Sequence, residues 1–410
     1  MSNAYMNATR VRHTLVAATS LAIALSFTTD AGAEKRYGPG VSDTEIKIGQ
    51  TMPYSGPLSA YGAIGRAELA YFAKINAEGG INGRKVTLIS LDDGYNPAKT
   101  VEHVRRLVEQ EQVLLLFGSV GTAPNMAIRR YVNSHSVPHL FVAGGDSAWA
   151  DPSHFPWTMG WMPAYQLEAK LYAKDILKAR PTARIGLLYL NDDYGRDYAK
   201  GFKEGLGDKA ATMIVSEQTY ELTDPTLDTQ LYSLKASGAD TLFSAMAGKH
   251  ASQAIRKIAE IGWHPLHYTG VPSTSIKGIL EPAGLDNAVG LTSAWYAKYI
   301  DFNKFKDDPG VRAYAVWAQK YYDGNPEDGI AIFGYEVAQA LEYVLRRCGD
   351  DLTRENVMRV ATSMKDVEFP LLLPGVRVNT SPTDYHPIKQ FQVMKFNGRN
   401  WEFVGGVVGF

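Results

Sequence analysis

Short apolar runs alternate with longer amphipathic segments along most of this 410-residue chain. Residues 46–49 predict a strand, and residues 65–78 carry apolar side chains at helical spacing. The alternation continues through predicted strands at 86–91, 113–117 and 138–143, with predicted helices at 98–109 and 123–134 between them. This order predicts a parallel sheet whose two faces are covered by helices.

The same alternation restarts in the second half of the chain. Predicted helices at 166–179 and 194–206 flank a predicted strand at 184–189. Further predicted elements are strands at 213–216, 241–244 and 266–269, helices at 226–236, 250–261, 311–322 and 331–347, and strands at 390–396 and 401–404. Two α/β units in one chain predict a cleft between them, where open α/β sheets place their ligands.

The N-terminus carries the three parts of a secretory signal peptide. Arg10 and Arg12 precede an apolar run at 15–27, and an Ala-Gly-Ala end closes the segment at residues 31–33. The apolar run is shorter than the roughly 20 residues that a membrane span needs. We therefore predict export to the periplasm with cleavage after Ala33, and a transmembrane anchor is the alternative.

Composition excludes several classes of protein. A formal net charge of −1 gives no electrostatic basis for binding nucleic acid. The single cysteine, Cys348, excludes an internal disulfide, a thiolate zinc cluster and a C-x-x-C redox pair, and its helical context favours a packed side chain.

Sequence motifs of enzymes are missing as well. The chain has no G-x-x-x-x-G-K-[ST], G-x-S-x-G, H-E-x-x-H or EF-hand pattern, and its nine histidines show no metal-ligand spacing. The carboxylate pairs at 92–93 and 192–193 each follow a predicted strand, where loop and helix-cap roles are favoured over acid–base catalysis. We expect a protein that is not an enzyme and that holds no cofactor or metal.

Two motifs near the N-terminus resemble one known family. The stretches MPYSGPLSAYG at 52–62 and INAEGGING at 75–83, together with Asp92-Asp93, resemble the leucine/isoleucine/valine-binding proteins of ABC importers. Weaker matches at 193–195 and 334–338 extend the resemblance from about residue 46 to the C-terminus. The resemblance implies a periplasmic receptor that passes a small ligand to a membrane permease.

The resemblance also implies a fold and a division into lobes. It predicts a type I periplasmic binding protein-like α/β fold, in which two doubly wound lobes are joined by a hinge of crossing strands. The implied N-terminal lobe comprises 41–158 and 295–372, and the C-terminal lobe comprises 159–294 and 373–410. A monomer is expected.

A loop at 118–122 lies between a predicted strand and helix, so its backbone N–H groups and the helix dipole can hold an anion. The resemblance implies that the Thr122 hydroxyl, with Ala143, Gly144 and Gly145 at the next strand end, grips a ligand carboxylate. Gly145 stands where many relatives carry serine or threonine. The alternative is that Thr122 is only a helix N-cap.

Other candidate positions follow from the same resemblance. Tyr61 and Tyr194 match positions where relatives place aromatic rings against the ligand from opposite lobes. Additional candidates are Ser244 and Pro272, with Trp161 and Ser273 as further options. Trp149, Trp157, Trp161 and Trp295 cluster in sequence around the predicted crossings, where packing in the core or hinge is favoured over ligand contact.

Two departures from the family bear on the ligand. Relatives that have a disulfide in the first lobe place its cysteines where this chain has Tyr95 and Gly121. Amino-acid binders keep a carboxylate for the ligand ammonium just after the strand at 266–269, whereas residues 270–274 here contain no acid. An unpaired buried ammonium costs enough to abolish micromolar binding.

We therefore expect an aromatic or branched acid that lacks an α-amino group. Asp146, beside the predicted carboxylate loop, is either a displaced ammonium anchor or, as we favour, a cap for the following turn. Three alternative functions stay open: a branched-chain amino acid receptor of the same fold, a sensory ligand-binding module, and a hydrolase on the same scaffold.

Overall fold

The computed structural model describes residues 35–298 and 305–410, so the predicted signal peptide at 1–33 lies outside the described residues. The strands are β1 (Arg36–Tyr37), β2 (Glu45–Met52), β3 (Lys85–Asp92), β4 (Leu116–Phe117), β5 (His139–Val142), β6 (Thr158–Gly160), β7 (Ile185–Leu190), β8 (Ile214–Tyr220), β9 (Thr241–Ala245), β10 (Leu266–Thr269), β11 (Thr292–Trp295), β12 (Asp351–Leu352), β13 (Gln390–Phe396) and β14 (Trp401–Gly409). The helices are α1 (Gly62–Ala77), α2 (Pro97–Arg105), α3 (Thr122–Ser134), α4 (Tyr165–Ala179), α5 (Asp193–Leu206), α6 (Ala210–Met213), α7 (Asp228–Ala236), α8 (Gly248–Glu260), α9 (Glu281–Ala283), α10 (Pro309–Tyr321), α11 (Gly329–Cys348) and α12 (Arg354–Ala361).

The first sheet of the described chain has five parallel strands in the order β3-β2-β4-β5-β6. Its inner strands β4 and β5 are buried along their whole length, as expected for parallel strands covered on both faces. Helix α1 packs against α11, and α2 packs against α3. Because all five strands run in one direction, the loops that follow them emerge at one edge of the sheet.

The second sheet has seven strands in the described residues, in the order β14-β13-β11-β10-β9-β7-β8. The five strands β8, β7, β9, β10 and β11 are parallel to one another. Strand β13 runs antiparallel to β11, and β14 runs antiparallel to β13 at the edge of the sheet. Helices α4 and α5 pack against each other beside this sheet. A further short parallel pair joins β1 to β12.

The chain passes between the two sheets three times. It leaves the first sheet after β6, leaves the second sheet after β11, and returns to the second sheet before β13. A backbone bridge between Ala297 and Leu372 ties the second crossing to the third. The two-lobe α/β fold with crossing strands is therefore confirmed, whereas the residue boundaries given above for the lobes stay a prediction.

Most predicted elements are present, and the differences have local causes. The strand predicted at 113–117 is confined to β4, because the Val113 N–H bonds to the Leu107 carbonyl instead of to a strand. The helix predicted at 98–109 ends at Arg105 and continues as a π-turn, Arg106–Gln110. Within residues 35–298 and 305–410, no helix is both long enough and apolar enough to cross a membrane.

Candidate ligand-binding site

A cavity of about 90 Å³ lies where the carboxyl ends of the two sheets meet. Its size is of the same order as the ~150 Å³ apolar cavity that accepts benzene in another protein, so it suits a small ligand. The aromatic side chains of its wall are Tyr61, Tyr95, Tyr165, Tyr194, Trp295 and Phe333. The larger aliphatic ones are Leu58, Ile64, Val120, Met162, Leu190, Val271 and Ile330.

The residues of the cavity lining that the structure describes include no carboxylate and no basic side chain. Among the described residues that form it, none is Asp, Glu, Lys, Arg or His. A ligand in this cavity is therefore held by apolar contacts and by neutral hydrogen-bonding groups.

Direct hydrogen bonds join elements of the two sheets around the cavity. The Tyr61 hydroxyl, in the turn after β2, donates to the Pro272 carbonyl at 2.8 Å and accepts the Gly248 N–H at 3.3 Å. The Ser275 hydroxyl, after β10, donates to Asp328 Oδ2 at 2.9 Å at the start of α11. The structure thus holds the two lobes closed over the cavity.

Five of the candidate residues predicted from sequence line this cavity: Tyr61, Thr122, Ala143, Tyr194 and Pro272. They come from both sheets, in each case just after a strand, which is where parallel α/β sheets expose their loops. Contact of these residues with a ligand stays a prediction.

Six candidates do not line the cavity: Gly144, Gly145, Asp146, Trp161, Ser244 and Ser273. The two serines lie deeper, where Ser244 Oγ is 2.8 Å from His267 Nε2 and the Ser273 hydroxyl donates to the Met246 carbonyl at 2.7 Å. These polar groups satisfy hydrogen-bonding needs of the core and are not presented to the cavity.

Trp161 is fully buried at the first crossing, where its indole N–H donates to Glu336 Oε1 at 2.9 Å. The carboxylate belongs to α11, so this bond ties the crossing segment to the first lobe. Burial raises the pKa of Glu336 to about 8. Trp161 therefore packs at the hinge, which is the role that the sequence favoured.

Gly145 has no room for the side chain that many relatives carry. A Cβ at this position would lie 2.4 Å from the Pro163 carbonyl oxygen and 2.7 Å from the Tyr165 ring. Gly144 beside it is less confined, with the Tyr165 hydroxyl 3.5 Å from the corresponding point. The missing hydroxyl at 145 is thus a consequence of the close approach of the segment 163–165.

Thr122 does not cap a helix, so the N-cap alternative is wrong. Helix α3 begins at Thr122 and its N-cap is Gly121, whose φ of +96° lies in a region that favours glycine. The Thr122 side chain is buried, and its hydroxyl has no hydrogen-bond partner among the described residues. A buried, unpaired donor at a helix N-terminus is suited to an acceptor on a ligand.

Asp146 is a cap, as favoured from the sequence. Its Oδ1 accepts the Ala148 N–H at 2.9 Å in the 3-10 turn Ser147–Ala150, and burial raises its pKa to about 7. It does not line the cavity.

Two carboxylates that accept hydrogen bonds from lining residues, Glu168 and Asp328, are already engaged. Glu168 accepts hydrogen bonds from the Tyr172 and Tyr198 hydroxyls at 2.6 and 2.7 Å. It also accepts the Val271 N–H at 2.9 Å, and burial raises its pKa to about 7. Asp328 accepts the Ile330 N–H as well as the Ser275 hydroxyl. Neither side chain is among the lining residues.

The sequence pattern of the periplasmic binding protein family matches residues 45–400. The chain belongs to the periplasmic binding protein family. It is 23% identical over 328 residues to Leu/Ile/Val-binding protein homolog 7 of Brucella abortus, covering 77% of this chain and 80% of that protein.

Two solved structures show the shared fold. A branched-chain amino acid ABC transporter protein of Thermus thermophilus with bound valine has a TM-score of 0.80 at 16% identity, covering 90% of this chain and 98% of that one. A fatty acid ABC transporter substrate-binding protein of Thermomonospora curvata has a TM-score of 0.77 at 19% identity, covering 92% and 95%. Periplasmic binding proteins are solute receptors that work with ABC permeases, which fits a cavity between two lobes.

In this member of the family, four aromatic residues of the cavity escaped the list of candidates predicted from sequence: Tyr95, Tyr165, Trp295 and Phe333. Tyr95 and Trp295 did show a signal, the first at a cysteine position of relatives and the second in the tryptophan cluster. Tyr165 and Phe333 showed none, because nothing in their neighbourhood separates a cavity-lining ring from a core ring.

Tyr95 and Gly121 stand at the two positions where relatives place the cysteines of a disulfide. Here the Tyr95 ring fills the space beside Gly121. A Cβ at Gly121 would lie 2.2 Å from the Tyr95 ring, so the glycine is required for the ring to fit. Tyr95 itself has a φ of +61°, an uncommon value for a bulky residue, and its N–H is held by Asp93 Oδ1 at 2.8 Å.

The remaining candidate groups have structural roles. Asp192 caps α5 by accepting the Gly195 N–H, and Asp92 accepts the Ser55 and Gly94 N–H groups, so the loop and cap roles are confirmed. Cys348 is buried at the end of α11, and burial raises the pKa of its thiol to about 12. In the part of the chain that the structure describes, no group of three or more His, Cys, Asp or Glu could hold a metal ion.

Proposed function

We propose that this protein is the periplasmic receptor of an ABC importer that closes on a small aromatic or branched carboxylate without an α-amino group. It acts as a monomer and presents the closed form to a membrane permease. One observation supports this ligand class most directly: among the described residues, the cavity lining offers hydrogen-bond donors but no carboxylate side chain.

The absence of an acid disfavours an amino acid ligand. An ammonium group transferred into this apolar cavity loses its hydration and meets no carboxylate among the lining residues. A carboxylate fares better, because the Thr122 hydroxyl is unpaired and the positive end of α3 points to the same corner.

The relatives support the class of receptor but differ in ligand. One structural neighbour is named for bound valine, and another for fatty acid transport. The fold therefore serves ligands with and without an amino group, and the choice between them rests on the side chains of the cavity.

A branched-chain amino acid receptor is the second candidate. Asp328 favours it, because this buried carboxylate lies directly behind Ser275, which lines the cavity. An ammonium would have to displace the Ser275 hydroxyl to reach Asp328, which already accepts two hydrogen bonds.

Pairs of ligands that differ only in the amino group separate the two candidates. We expect 3-phenylpropionate or 4-methylpentanoate to raise the melting temperature of the purified protein, and L-phenylalanine or L-leucine to leave it unchanged. A ligand at 100 times its Kd stabilises the folded state by about 2.7 kcal/mol, which shifts the melting temperature by several degrees.

The opposite order, with the amino acids stabilising and the matched acids inert, would show that Asp328 or another anchor binds an ammonium. Hydrolysis of an ester or amide at catalytic rates would instead support the hydrolase alternative. Export is checked separately, by the N-terminal sequence of protein recovered from the periplasm, which we expect to begin at Glu34.

A further inference from the structure

Four tyrosines line the cavity, and their hydroxyl groups differ in whether they donate a hydrogen bond to an acceptor within the protein. The Tyr61 hydroxyl donates to the Pro272 carbonyl at 2.8 Å, and the Tyr194 hydroxyl donates to the Met246 carbonyl at 2.9 Å. Both protons are therefore committed within the protein. Neither hydroxyl is available as a donor to a ligand unless these bonds break.

The hydroxyl groups of Tyr95 and Tyr165 have no acceptor among the described residues. Burial raises the pKa of both phenols, and the backbone N–H groups of Thr122, beside Tyr95, and of Gly145, beside Tyr165, partly oppose that rise. An N–H group can only donate, so neither amide can accept a phenol proton.

The free donors gather at one corner of the cavity. A Cβ built on Gly121 would lie 2.9 Å from the Tyr95 hydroxyl oxygen, and one built on Gly144 would lie 3.5 Å from the Tyr165 hydroxyl oxygen. The latter point is 3.9 Å from the Gly121 carbonyl carbon, so both glycines border the same space. The unpaired Thr122 hydroxyl follows Gly121 directly in the chain.

Both rings are held in place by the surrounding structure. Tyr95 is fixed by its left-handed backbone conformation and by the Asp93 carboxylate. Tyr165 stacks on Tyr198 with ring centroids 4.4 Å apart and planes inclined by 21°. Burial raises the pKa of both phenols well above the usual value, so both remain protonated donors at physiological pH.

We propose that Tyr95, Tyr165 and Thr122 form the carboxylate subsite. The ligand oxygens accept hydrogen bonds from the two phenol hydroxyls and from the threonine hydroxyl. This rests on the proposed function as a carboxylate receptor. An ionised carboxylate offers about four acceptor positions, whereas a primary amide offers two, on a neutral carbonyl oxygen, and places two N–H donors where the second carboxylate oxygen would lie.

The first test needs no variant. Isothermal titration calorimetry compares 3-phenylpropionate with 3-phenylpropionamide on the wild-type protein. We expect the acid to bind at least tenfold more tightly, because each hydrogen bond to a charged group contributes about a tenfold factor or more. Equal affinity for acid and amide would overturn the proposal, since three hydroxyl donors at one subsite should favour a charged acceptor over a neutral one.

The second test removes single hydroxyl groups. In Tyr95→Phe and in Tyr165→Phe we expect the Kd of the acid to rise about tenfold and the Kd of the amide, a neutral acceptor, to rise less. Tyr220→Phe is the control, because it removes a tyrosine hydroxyl that accepts the Ala247 N–H at 3.1 Å and belongs to a residue that does not line the cavity. Its ratio of acid to amide affinity should equal that of the wild type.

The outcomes separate this proposal from the proposed function. If the wild type binds acids, and both phenylalanine variants keep the wild-type ratio of affinities, the tyrosine subsite is refuted and the receptor function stands. If the wild type binds none of the acids, both are refuted. Should Tyr95→Phe fail to fold, Tyr165→Phe and Thr122→Val carry the same comparison.

Discussion

The contact between Tyr95 and Gly121 gives a prediction whose size can be worked out from the structure. In Gly121→Ala, the new methyl group would lie 2.2 Å from one ring carbon of Tyr95 and 2.9 Å from its hydroxyl. The backbone there has a φ of +96° and a ψ of 160°, a region populated almost only by glycine. The substitution therefore carries both a backbone cost and a steric cost.

The two costs can be separated. A non-glycine residue in this backbone region costs about 1–3 kcal/mol, and overpacking a filled site costs about 1–3 kcal/mol more. We expect Gly121→Ala to lower the free energy of unfolding by about 2–6 kcal/mol. In a Tyr95→Ala background the steric part disappears, so the same substitution should cost only about 1–3 kcal/mol.

Urea denaturation followed by circular dichroism measures all four proteins of this cycle. Gly79→Ala is the matched control, because Gly79 has a φ of +101° but no neighbouring atom within 4 Å of its added Cβ. That variant should show the backbone cost alone, in both backgrounds. An equal cost of Gly121→Ala with and without the Tyr95 ring would refute the packing of the ring on this glycine.

Three further predictions test other parts of the site. Gly145→Ser, which restores the side chain of many relatives, should lower the melting temperature, because its Cβ would lie 2.4 Å from the Pro163 carbonyl; a neutral or stabilising effect would contradict the close approach. Trp295→Phe should reduce by about tenfold any preference for phenylpyruvate over 3-phenylpropionate. The reason is that the buried indole N–H of Trp295 has no partner among the described residues and can donate to the keto oxygen. Unchanged selectivity in calorimetry would exclude that hydrogen bond. Burial raises the pKa of Glu336 from 4.5 to about 8, so the folded state retains a proton that the unfolded state releases. The contribution of protonated Glu336 to the free energy of unfolding is therefore complete below about pH 4.5 and is lost as the pH rises to about 8. Glu336→Gln should therefore flatten the fall in unfolding free energy between pH 5 and 8, and an unchanged slope would point to other groups.

The fold was largely predictable because periodicity reports burial. Strands such as β10 and β13 carry the apolar pattern of their own sheet and were predicted with the observed bounds. Short elements carry too little pattern: β6 has three residues and β12 has two, and both exist only because a neighbouring strand supplies the hydrogen bonds. Tertiary pairing of this kind leaves no local signal.

The candidate site was predictable only in part. Loops that follow strands were placed correctly at the cavity, because the order of elements determines which edge of a sheet they reach. The depth of each side chain within a loop was not predictable. Ser244 lies near the end of β9 and Thr122 follows β4, yet Ser244 bonds to a core histidine and Thr122 has an unpaired hydroxyl at the cavity.

The proposed carboxylate subsite also gives a physical reason for the lobe closure that we propose. Tyr95 and Thr122 belong to loops of the first sheet, whereas Tyr165 begins α4 beyond the first crossing. A carboxylate that accepts hydrogen bonds from residues on both sides of the crossing binds the closed form better than the open form. Only such a difference in affinity can shift the equilibrium between the two forms. Contacts already present without ligand, such as Tyr61 with Pro272, lower the energy that the ligand must supply. Loss of the Tyr165 hydroxyl should therefore weaken closure together with affinity, which small-angle scattering with saturating acid can measure as a larger radius of gyration than in the Tyr220→Phe control.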